Sequence, residues 1–153
     1  MKLEQIIIES VREIFATMVL MEVAPEKPLT EKVSSFSDHA SGLLGISGDL
    51  KGLVGIHCPL PTAGAITASL LGIPADEANE DVKDAMGEMA NMIAGGIKTA
   101  LEAEGKNLEL AIPSTIAGRA YTLDGLSRAD WIMVPFVAPE GRFLAELKYL
   151  TTP

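Results

Sequence analysis

The sequence predicts an α+β fold, in which a largely antiparallel β-sheet packs against one long helix and shorter helices. Two observations carry this prediction. Apolar residues recur every three to four positions near the N-terminus and in the middle of the chain, which is the period of helices lying on a core. The C-terminal third instead alternates apolar and polar residues around turn sequences, which is typical of strands joined by hairpins.

Length and composition limit the class of protein. The chain has 153 residues, 48% of them hydrophobic, which fits a single globular domain over residues 1–153. Its net charge of −9 argues against a nucleic-acid-binding surface, because phosphates would be repelled. The single cysteine, Cys58, fits a reducing compartment, and no apolar run is long enough to cross a membrane. We therefore expect a cytoplasmic protein that binds neither nucleic acid nor membranes.

The first part of the chain is predicted to form a helix, a loop and a β-hairpin. Leu3–Leu20 has the helical period, and Pro25 and Pro28 in the following segment prevent its continuation. Two short apolar runs, Leu43–Ile46 and Leu53–Ile56, flank a Gly-Asp turn and predict the hairpin. The sheet is therefore expected to begin within the first third of the chain.

Two helices are predicted after the hairpin. The first is Ala-rich and covers Pro61–Leu71, with Gly72 as its C-terminal stop. The second is the longest in the chain and covers Asp81–Glu104. Asn79 is the expected N-cap of this helix and Gly105 its end.

The rest of the chain is predicted to be strands. Leu108–Ile112 alternates apolar and polar residues, and Trp131–Val137 is an apolar run of the buried type. Pro135 places that run near a sheet edge or a bulge. A Pro-Glu-Gly turn then joins it to Phe143–Leu150, which alternates again, so these two runs form the clearest hairpin of the sequence.

The long helix has two distinct faces. At about 100° per residue, Asn91 lies opposite the apolar face, with Glu88 beside it on an exposed stripe. Gly87 and Gly95 flank Asn91 by one turn, although each glycine inside a helix costs roughly 1 kcal/mol relative to alanine. They would leave space for another surface to approach; the alternative, that Gly95 and Gly96 pack on this protein's own sheet, stays open. The predicted core face consists of Val82, Met86, Met89, Ile93, Ile97 and Ala100.

Glu88 and Asn91 suggest a specific chemistry. A carboxylate accepts hydrogen bonds from a cationic partner, and a carboxamide can hold a water in line for attack. For an arbitrary Glu-x-x-Asn pattern a solvated helix face is the favoured explanation, and Glu104 and Asn107 have the same spacing across Gly105, where the helix is expected to have ended. The pattern by itself therefore does not establish a site.

Other candidate groups favour ordinary packing. His57 and Cys58 end a predicted strand without a second ligand cluster in the sequence, so we interpret them as a packed strand end rather than a metal site or nucleophile. No phosphate-binding loop of the G-x-x-x-x-G-K type occurs, which leaves nucleotide binding unsupported. We expect no metal site and no cofactor of the chain's own.

The nine residues Gly87–Gly95, with the sequence GEMANMIAG, resemble the signature helix of the CheX family, within the wider CheC/CheX/FliY group of chemotaxis phosphatases. The elements around them are similar too, including the glycine-rich hairpin, Leu110–Pro113 and the Val134–Phe136 run. The resemblance covers most of the chain from about residue 41 onward. It implies a CheC/CheX-like fold with one long signature helix.

The resemblance also implies an activity, namely dephosphorylation of a phosphorylated CheY-type response regulator. In that family the glutamate pairs with a lysine beside the regulator's phosphoaspartate, and the asparagine orients the attacking water. Carried over, Glu88 and Asn91 are the catalytic residues, and Gly87 and Gly95 give the partner room to approach. Mg²⁺ would come from the phosphorylated partner, and family members tend to form homodimers through sheet edges.

One alternative function belongs to a different class, a non-catalytic module that binds a receiver domain or serves as a flagellar-switch scaffold. The intact Glu88 and Asn91 favour the enzyme over this scaffold. A second catalytic motif is not expected, because Glu9 and Glu13 in the first helix are followed three residues later by Arg12 and Ala16 rather than by asparagine.

Overall fold

A computed structural model describes residues 2–151. Its helices are α1 (Lys2–Ile14), α2 (Leu60–Leu71) and α3 (Val82–Glu102). Its strands are β1 (Ala24–Pro25), β2 (Ser35–Gly48), β3 (Leu50–Pro59), β4 (Leu108–Leu110), β5 (Ser114–Thr122), β6 (Asp130–Ala138) and β7 (Gly141–Thr151). Within these residues, none of the helices combines the length and the apolar character that a membrane crossing needs.

The strands form one seven-stranded antiparallel sheet in the order β1-β6-β7-β3-β2, with β4 and β5 side by side on the outer edge of β2. Strand β2 is long enough to hold both, since residues 35–43 pair with β5 and residues 46–48 pair with β4. The predicted α+β class with a largely antiparallel sheet is confirmed. Both predicted hairpins, β2–β3 and β6–β7, are present.

The core lies between the helices and one face of the sheet. A short π-helix, Phe15–Val19, continues α1, and its first residue stacks on Phe143 of β7 with ring centroids 5.0 Å apart. Phe143 in turn stacks on Phe136 of β6 at 5.4 Å. The extent of the predicted first helix is correct, since α1 and the π-helix together cover residues 2–19. The last turn is wider than an α-helical turn and ends at Leu20, whose φ of 60° is left-handed. This aromatic stack ties the end of the first helix to the middle of the sheet.

Two strands were not predicted. Strand β5 has no fully buried residue, and its half-exposed side chains carry no clean alternation, because it lies at the edge of the sheet. Strand β1 has only two residues and contains Pro25, so the sequence predicts a loop at this place. The predicted strand Leu108–Ile112 ends earlier, at Leu110, because β2 pairs only with residues 108–110 there. Edge strands thus account for most of the differences from the sequence prediction.

The predicted N-cap of the long helix is wrong. Asn79 begins a 3₁₀ turn, Asn79–Asp81, and α3 starts after it at Val82. Asp81 occupies the N-cap position without a side-chain capping hydrogen bond, and its backbone N–H donates to the carbonyl of Ala78 at 3.0 Å. The tight turn therefore replaces a side-chain cap. At the other end the helix stops at Glu102, before the left-handed Gly105.

Pro135 lies near the sheet edge, as predicted, but not in a bulge. It pairs with Leu144 in the uninterrupted β6–β7 register, and its carbonyl accepts a hydrogen bond from the backbone N–H of Glu26 at 2.8 Å. Besides the two residues of β1, the backbone N–H groups of Glu26 and Leu29 bond to carbonyls on this side of β6. No full strand pairs with β6 here, and such an edge position tolerates a proline, which has no N–H to donate.

Candidate active site

Helix α3 buries one face and exposes Glu88 and Asn91 on the other, as the periodicity predicted. The face against the sheet is nearly the predicted one, although Ala100 is only half-buried. The buried residues follow the three-and-four spacing of a helix lying on a core and are Val82, Ala85, Met86, Gly87, Met89, Ala90, Ile93, Ala94, Ile97 and Leu101. The two polar residues thus project from a helix whose other side is fully packed.

The side chains of Glu88 and Asn91 are free to bind a partner. Neither makes a hydrogen bond or an ion pair with any other residue in the range 2–151. Three residues apart on a helix, they are neighbours on the same surface stripe. An exposed carboxylate and an exposed carboxamide therefore stand side by side.

The sheet fixes the turn of α3 that precedes Glu88. Gly42 in β2 faces this turn, and a Cβ added at position 42 would overlap the carbonyl oxygen of Met86. The backbones of strand and helix therefore approach each other more closely than any side chain would allow. This contact, which holds α3 in place next to its functional residues, was not foreseen from the sequence because it joins positions 44 residues apart.

Gly87 does not lie on the open stripe, which corrects its predicted role. It is buried, and a Cβ there would stand 3.0 Å from Cγ2 of Thr115 and 3.7 Å from Cβ of Pro113. Its lack of a side chain lets the start of β5 pack against α3. Gly87 therefore positions the turn that carries Glu88, and the space it leaves is already filled by this chain.

Gly95 and Gly96 differ from each other. A Cβ at Gly95 would meet nothing within 4 Å, whereas one at Gly96 would stand 2.9 Å from Oγ of Ser10 in α1. Gly96 therefore allows close packing of α1 on α3. Gly95 leaves open space one turn after Asn91, and its role in partner approach stays a prediction.

A groove continues from this open position between α1 and α3. Its volume is about 460 Å³, and its floor includes Met92 and Gly95. Glu9 and Glu13 of α1 line the same groove with exposed carboxylates. The surface beyond Asn91 is thus concave and acidic, which favours a partner with a basic side chain at this place.

The arrangement suits positioning chemistry rather than acid–base chemistry. An asparagine neither donates nor takes up a proton at neutral pH, but its amide can orient a water by hydrogen bonding. Within residues 2–151, no group of three or more His, Cys, Asp and Glu side chains is placed to hold a metal ion. Glu88 and Asn91 together can accept hydrogen bonds from a cationic group and orient a water.

A second polar cluster crosses the opposite face of the sheet, and it is buried. Oγ of Ser41 lies 2.7 Å from Nδ1 of His57 and 2.7 Å from the hydroxyl of Tyr121. Nε2 of His57 lies 2.8 Å from Oε1 of Glu146, whose other oxygen faces the ammonium of Lys148 at 3.8 Å. The cluster thus runs across four neighbouring strands, β5, β2, β3 and β7.

This cluster has the residue types and the hydrogen-bonded order of a nucleophilic triad, but it is closed to a substrate. Ser41 and His57 have no exposed surface, so no substrate reaches the hydroxyl. Phe36 stacks on the His57 ring at 4.4 Å, and Cys58 next to it is fully buried on the core side. Burial raises the pKa of the Cys58 thiol far above its usual range, which keeps it unreactive. The interpretation of His57 and Cys58 as a packed strand end fits this structure.

Comparison with known proteins agrees with the fold and the helix signature. Residues 40–137, almost two thirds of the chain, match the family described as chemotaxis phosphatase CheX. The CheY-P phosphatase CheX of Thermotoga maritima is 26% identical over 114 residues, which are 74% of each chain.

Solved structures share the whole fold. A crystal structure of the chemotaxis protein CheX from Desulfovibrio desulfuricans superposes with a TM-score of 0.87 at 26% identity, covering 99% of this chain and 100% of that one. CheX of Borrelia burgdorferi, solved in a complex with CheY, BeF₃ and Mg²⁺, has a TM-score of 0.76 at 20% identity, covering 95% and 96% of the two chains, and shows likeness of fold. This chain therefore belongs to the CheX family of chemotaxis phosphatases, as its helix signature predicted.

Proposed function

We propose that this protein hydrolyses the aspartyl phosphate of a CheY-type receiver domain, with Glu88 and Asn91 of α3 as the residues that act. The observation that carries the assignment is the pairing of an exposed carboxylate and an exposed carboxamide, both without partners among residues 2–151, on a helix turn held by Gly42 and Gly87. Such preorganisation is what a positioning catalyst needs. Membership of the CheX family supports the same activity.

The proposed reaction is a hydrolysis in which water supplies the nucleophile. The water oxygen bonds to phosphorus, the bond between phosphorus and the aspartate oxygen breaks, and its electron pair stays on the aspartate carboxylate. Inorganic phosphate leaves, and one proton passes to solvent. Because phosphoryl transfer depends mainly on alignment and charge, an amide that holds the water in line suffices on this chain. Asn91 takes that role.

Glu88 is proposed to anchor the partner. Its carboxylate lies on the same stripe as Asn91 and offers acceptors to a cationic side chain beside the phosphoaspartate. Pairing with Glu88 would draw that cation toward α3 and fix the distance between Asn91 and the phosphoryl group. Loss of Glu88 should therefore weaken docking more than it alters an already docked complex.

The remaining parts of the assignment concern the metal ion, the domain, the cellular compartment and the oligomeric state. We propose that the partner's own Mg²⁺ balances the phosphate charge; the Borrelia burgdorferi CheX complex, which contains CheY, BeF₃ and Mg²⁺, is consistent with this. We also propose that residues 1–153 act as one domain, that the protein works in the cytoplasm, and that it forms a homodimer. Light scattering at several concentrations tests the dimer.

The deciding experiment follows aspartyl-phosphate decay on a phosphorylated CheY-type receiver in the presence of Mg²⁺. The wild-type protein should accelerate the decay, and Asn91→Ala should lose on the order of 100-fold in kcat. Glu88→Ala should mainly raise KM. The matched control is Asn107→Ala, which removes an exposed asparagine from the other Glu-x-x-Asn pattern of the chain.

Two results would overturn the proposal. If the wild-type protein binds the receiver without accelerating decay, the chain is a receiver-binding scaffold. If Asn91→Ala and Asn107→Ala retain equal activity, Asn91 does not orient the water.

A further inference from the structure

The most exposed large hydrophobic side chain among residues 2–151 is Ile112, which is 87% exposed. It lies in the short linker between β4 and β5. Single exposed apolar residues are common on soluble proteins, so exposure alone carries no function. What distinguishes Ile112 is its fixed backbone and its position beside the candidate active site.

The backbone around Ile112 is held on both sides. The N–H of Ala111 donates to the carbonyl of Gly45 at 2.9 Å, and the strands before and after the linker both pair with β2. Pro113 follows directly and restricts the φ and ψ angles of the residue before it to extended values. Ile112 is therefore presented to solvent by a rigid segment, with little conformational entropy to lose on binding.

The linker lies next to the turn of α3 that carries Glu88. Pro113 packs against Gly87, since a Cβ at position 87 would stand 3.7 Å from Cβ of Pro113. Gly87 directly precedes Glu88, and Ile112 directly precedes Pro113. The exposed isoleucine and the exposed carboxylate therefore belong to two segments that touch.

Helix geometry places Ile112 and α1 on opposite flanks of the site. Gly87 contacts the linker and Gly96 contacts Ser10 of α1, and nine residues at 100° each separate them by half a turn. Glu88 and Asn91 lie on the arc between these two contacts. The linker that carries Ile112 therefore borders Glu88 and Asn91 on one side, and the acidic α1 groove borders them on the other.

We propose that Ile112 is an apolar docking contact for the receiver domain and sets its affinity without taking part in hydrolysis. This inference rests on the proposed function, because it assigns a partner contact to the same site. The occupant it requires is an apolar patch on the receiver next to its phosphorylated aspartate. Burial of one isoleucine side chain removes enough apolar area from water to change the affinity of a transient complex measurably.

The test compares Ile112→Thr with Ile112→Leu on the full chain. Threonine keeps the branched Cβ that suits a residue before proline but removes apolar area, whereas leucine keeps the area. For the phosphorylated receiver, Ile112→Thr should raise KM about fivefold at unchanged kcat, and Ile112→Leu should stay near the wild type. The matched control is Val137→Thr, since Val137 is also exposed and β-branched but lies on β6, three strands away from β2.

Binding to a receiver loaded with BeF₃⁻ and Mg²⁺, measured by calorimetry, separates this inference from the proposed function. The Kd of Ile112→Thr should rise by the same factor even if no hydrolysis is seen with the wild type. An unchanged Kd and KM for Ile112→Thr would overturn the inference while leaving the phosphatase assignment intact. A change in molar mass by light scattering with unchanged Kd would also overturn it, because Ile112 would then contact a second copy of this chain.

Discussion

Gly42 in the long strand β2 lies against the backbone carbonyl of Met86 in helix α3, and no other residue type fits between them. This contact sits two residues before Glu88 and five before Asn91. Helix α3 is thus fixed on the sheet by backbone-to-backbone packing directly before the two proposed catalytic residues. In the proposed mechanism, the accuracy with which Asn91 holds a water depends on that contact.

Replacement of Gly42 by alanine should therefore damage both stability and activity. The added methyl group overlaps a backbone oxygen that no side-chain rotation can move, so α3 must shift. We expect a loss of at least about 2 kcal/mol in the free energy of unfolding, measured with urea, and a fall in kcat.

Gly64→Ala is the matched control for Gly42→Ala. Gly64 lies inside α2, and a Cβ there would meet nothing within 4 Å. Alanine should stabilise that helix by roughly 0.5–1 kcal/mol and leave kcat unchanged. Equal stability of Gly42→Ala and the wild type would show that the close approach of β2 and α3 is not required.

The sequence predicts that Glu88 and Asn91 are exposed, but it does not predict the contacts that hold α3 in place. Glu88 and Asn91 follow from the period of a single helix, which is local information. Gly42 and Met86 meet only through the packing of a strand on a helix, and Ser41 meets His57 only through the β2–β3 register. Such contacts depend on the whole topology, which no local pattern contains.

The glycines of α3 show the same limit. Gly87, Gly95 and Gly96 look alike in sequence, yet one packs against β5, one faces open space and one contacts α1. A helical wheel shows the direction in which each glycine faces, but not which other element of the fold it contacts there. The prediction that glycines leave room for a partner therefore fails for Gly87, whereas for Gly95, which faces open space, it stays a prediction.

The two tyrosines should titrate late in the folded protein. Burial raises the pKa of Tyr121, partly offset by the hydrogen bond with Ser41, and burial together with nearby Asp130 and Glu4 raises the pKa of Tyr149. Since both pKa values are higher folded than unfolded, the protonated phenols favour the native state below pH about 10. That stabilisation is lost as the pH rises through the folded-state values.

The measurement is the ultraviolet absorbance of tyrosinate as a function of pH, with and without denaturant. The half-ionisation point should lie at a higher pH in the folded protein, and the free energy of unfolding should decrease above pH about 10. Coinciding titration curves would contradict the burial of the phenols. Tyr121→Phe should remove the contribution of Tyr121 and leave that of Tyr149.

The buried cluster on the opposite face of the sheet should be needed for folding and not for catalysis. Glu146 is 4% exposed and faces both His57 and Lys148, which are also buried. Glu146→Gln leaves the Lys148 ammonium without a countercharge, so we expect a loss of about 3 kcal/mol in the free energy of unfolding. The folded fraction should keep the wild-type kcat, because α3 lies on the other face.

Glu26→Gln is the control for this experiment. This substitution removes an exposed ion pair, in which Nε of Arg142 lies 2.7 Å from Oε1 of Glu26. The free energy of unfolding should fall by less than about 1 kcal/mol. Similar losses for Glu146→Gln and Glu26→Gln would mean that burial does not strengthen the interactions of Glu146.

The last prediction concerns Gly95, where stability and activity should change independently. The Cβ of a leucine at this position has no atom of another element or side chain within 4 Å, and leucine has a better helix propensity than glycine. The thermal midpoint should therefore stay the same or rise. The side chain would fill the space one turn after Asn91, so kcat/KM toward a phosphorylated receiver should fall at least about 10-fold.

Gly64→Leu provides the comparison for Gly95→Leu, because it places the same side chain on an equally open helix position away from Asn91. It should leave kcat/KM unchanged. If Gly95→Leu hydrolyses the aspartyl phosphate as fast as Gly64→Leu, the partner does not approach over Gly95, and the docked receiver must reach Asn91 from the side of Glu88 and the β4–β5 linker. If Gly95→Leu alone loses activity while its unfolding transition is intact, the glycine is retained for the partner, because this chain's own packing does not need it.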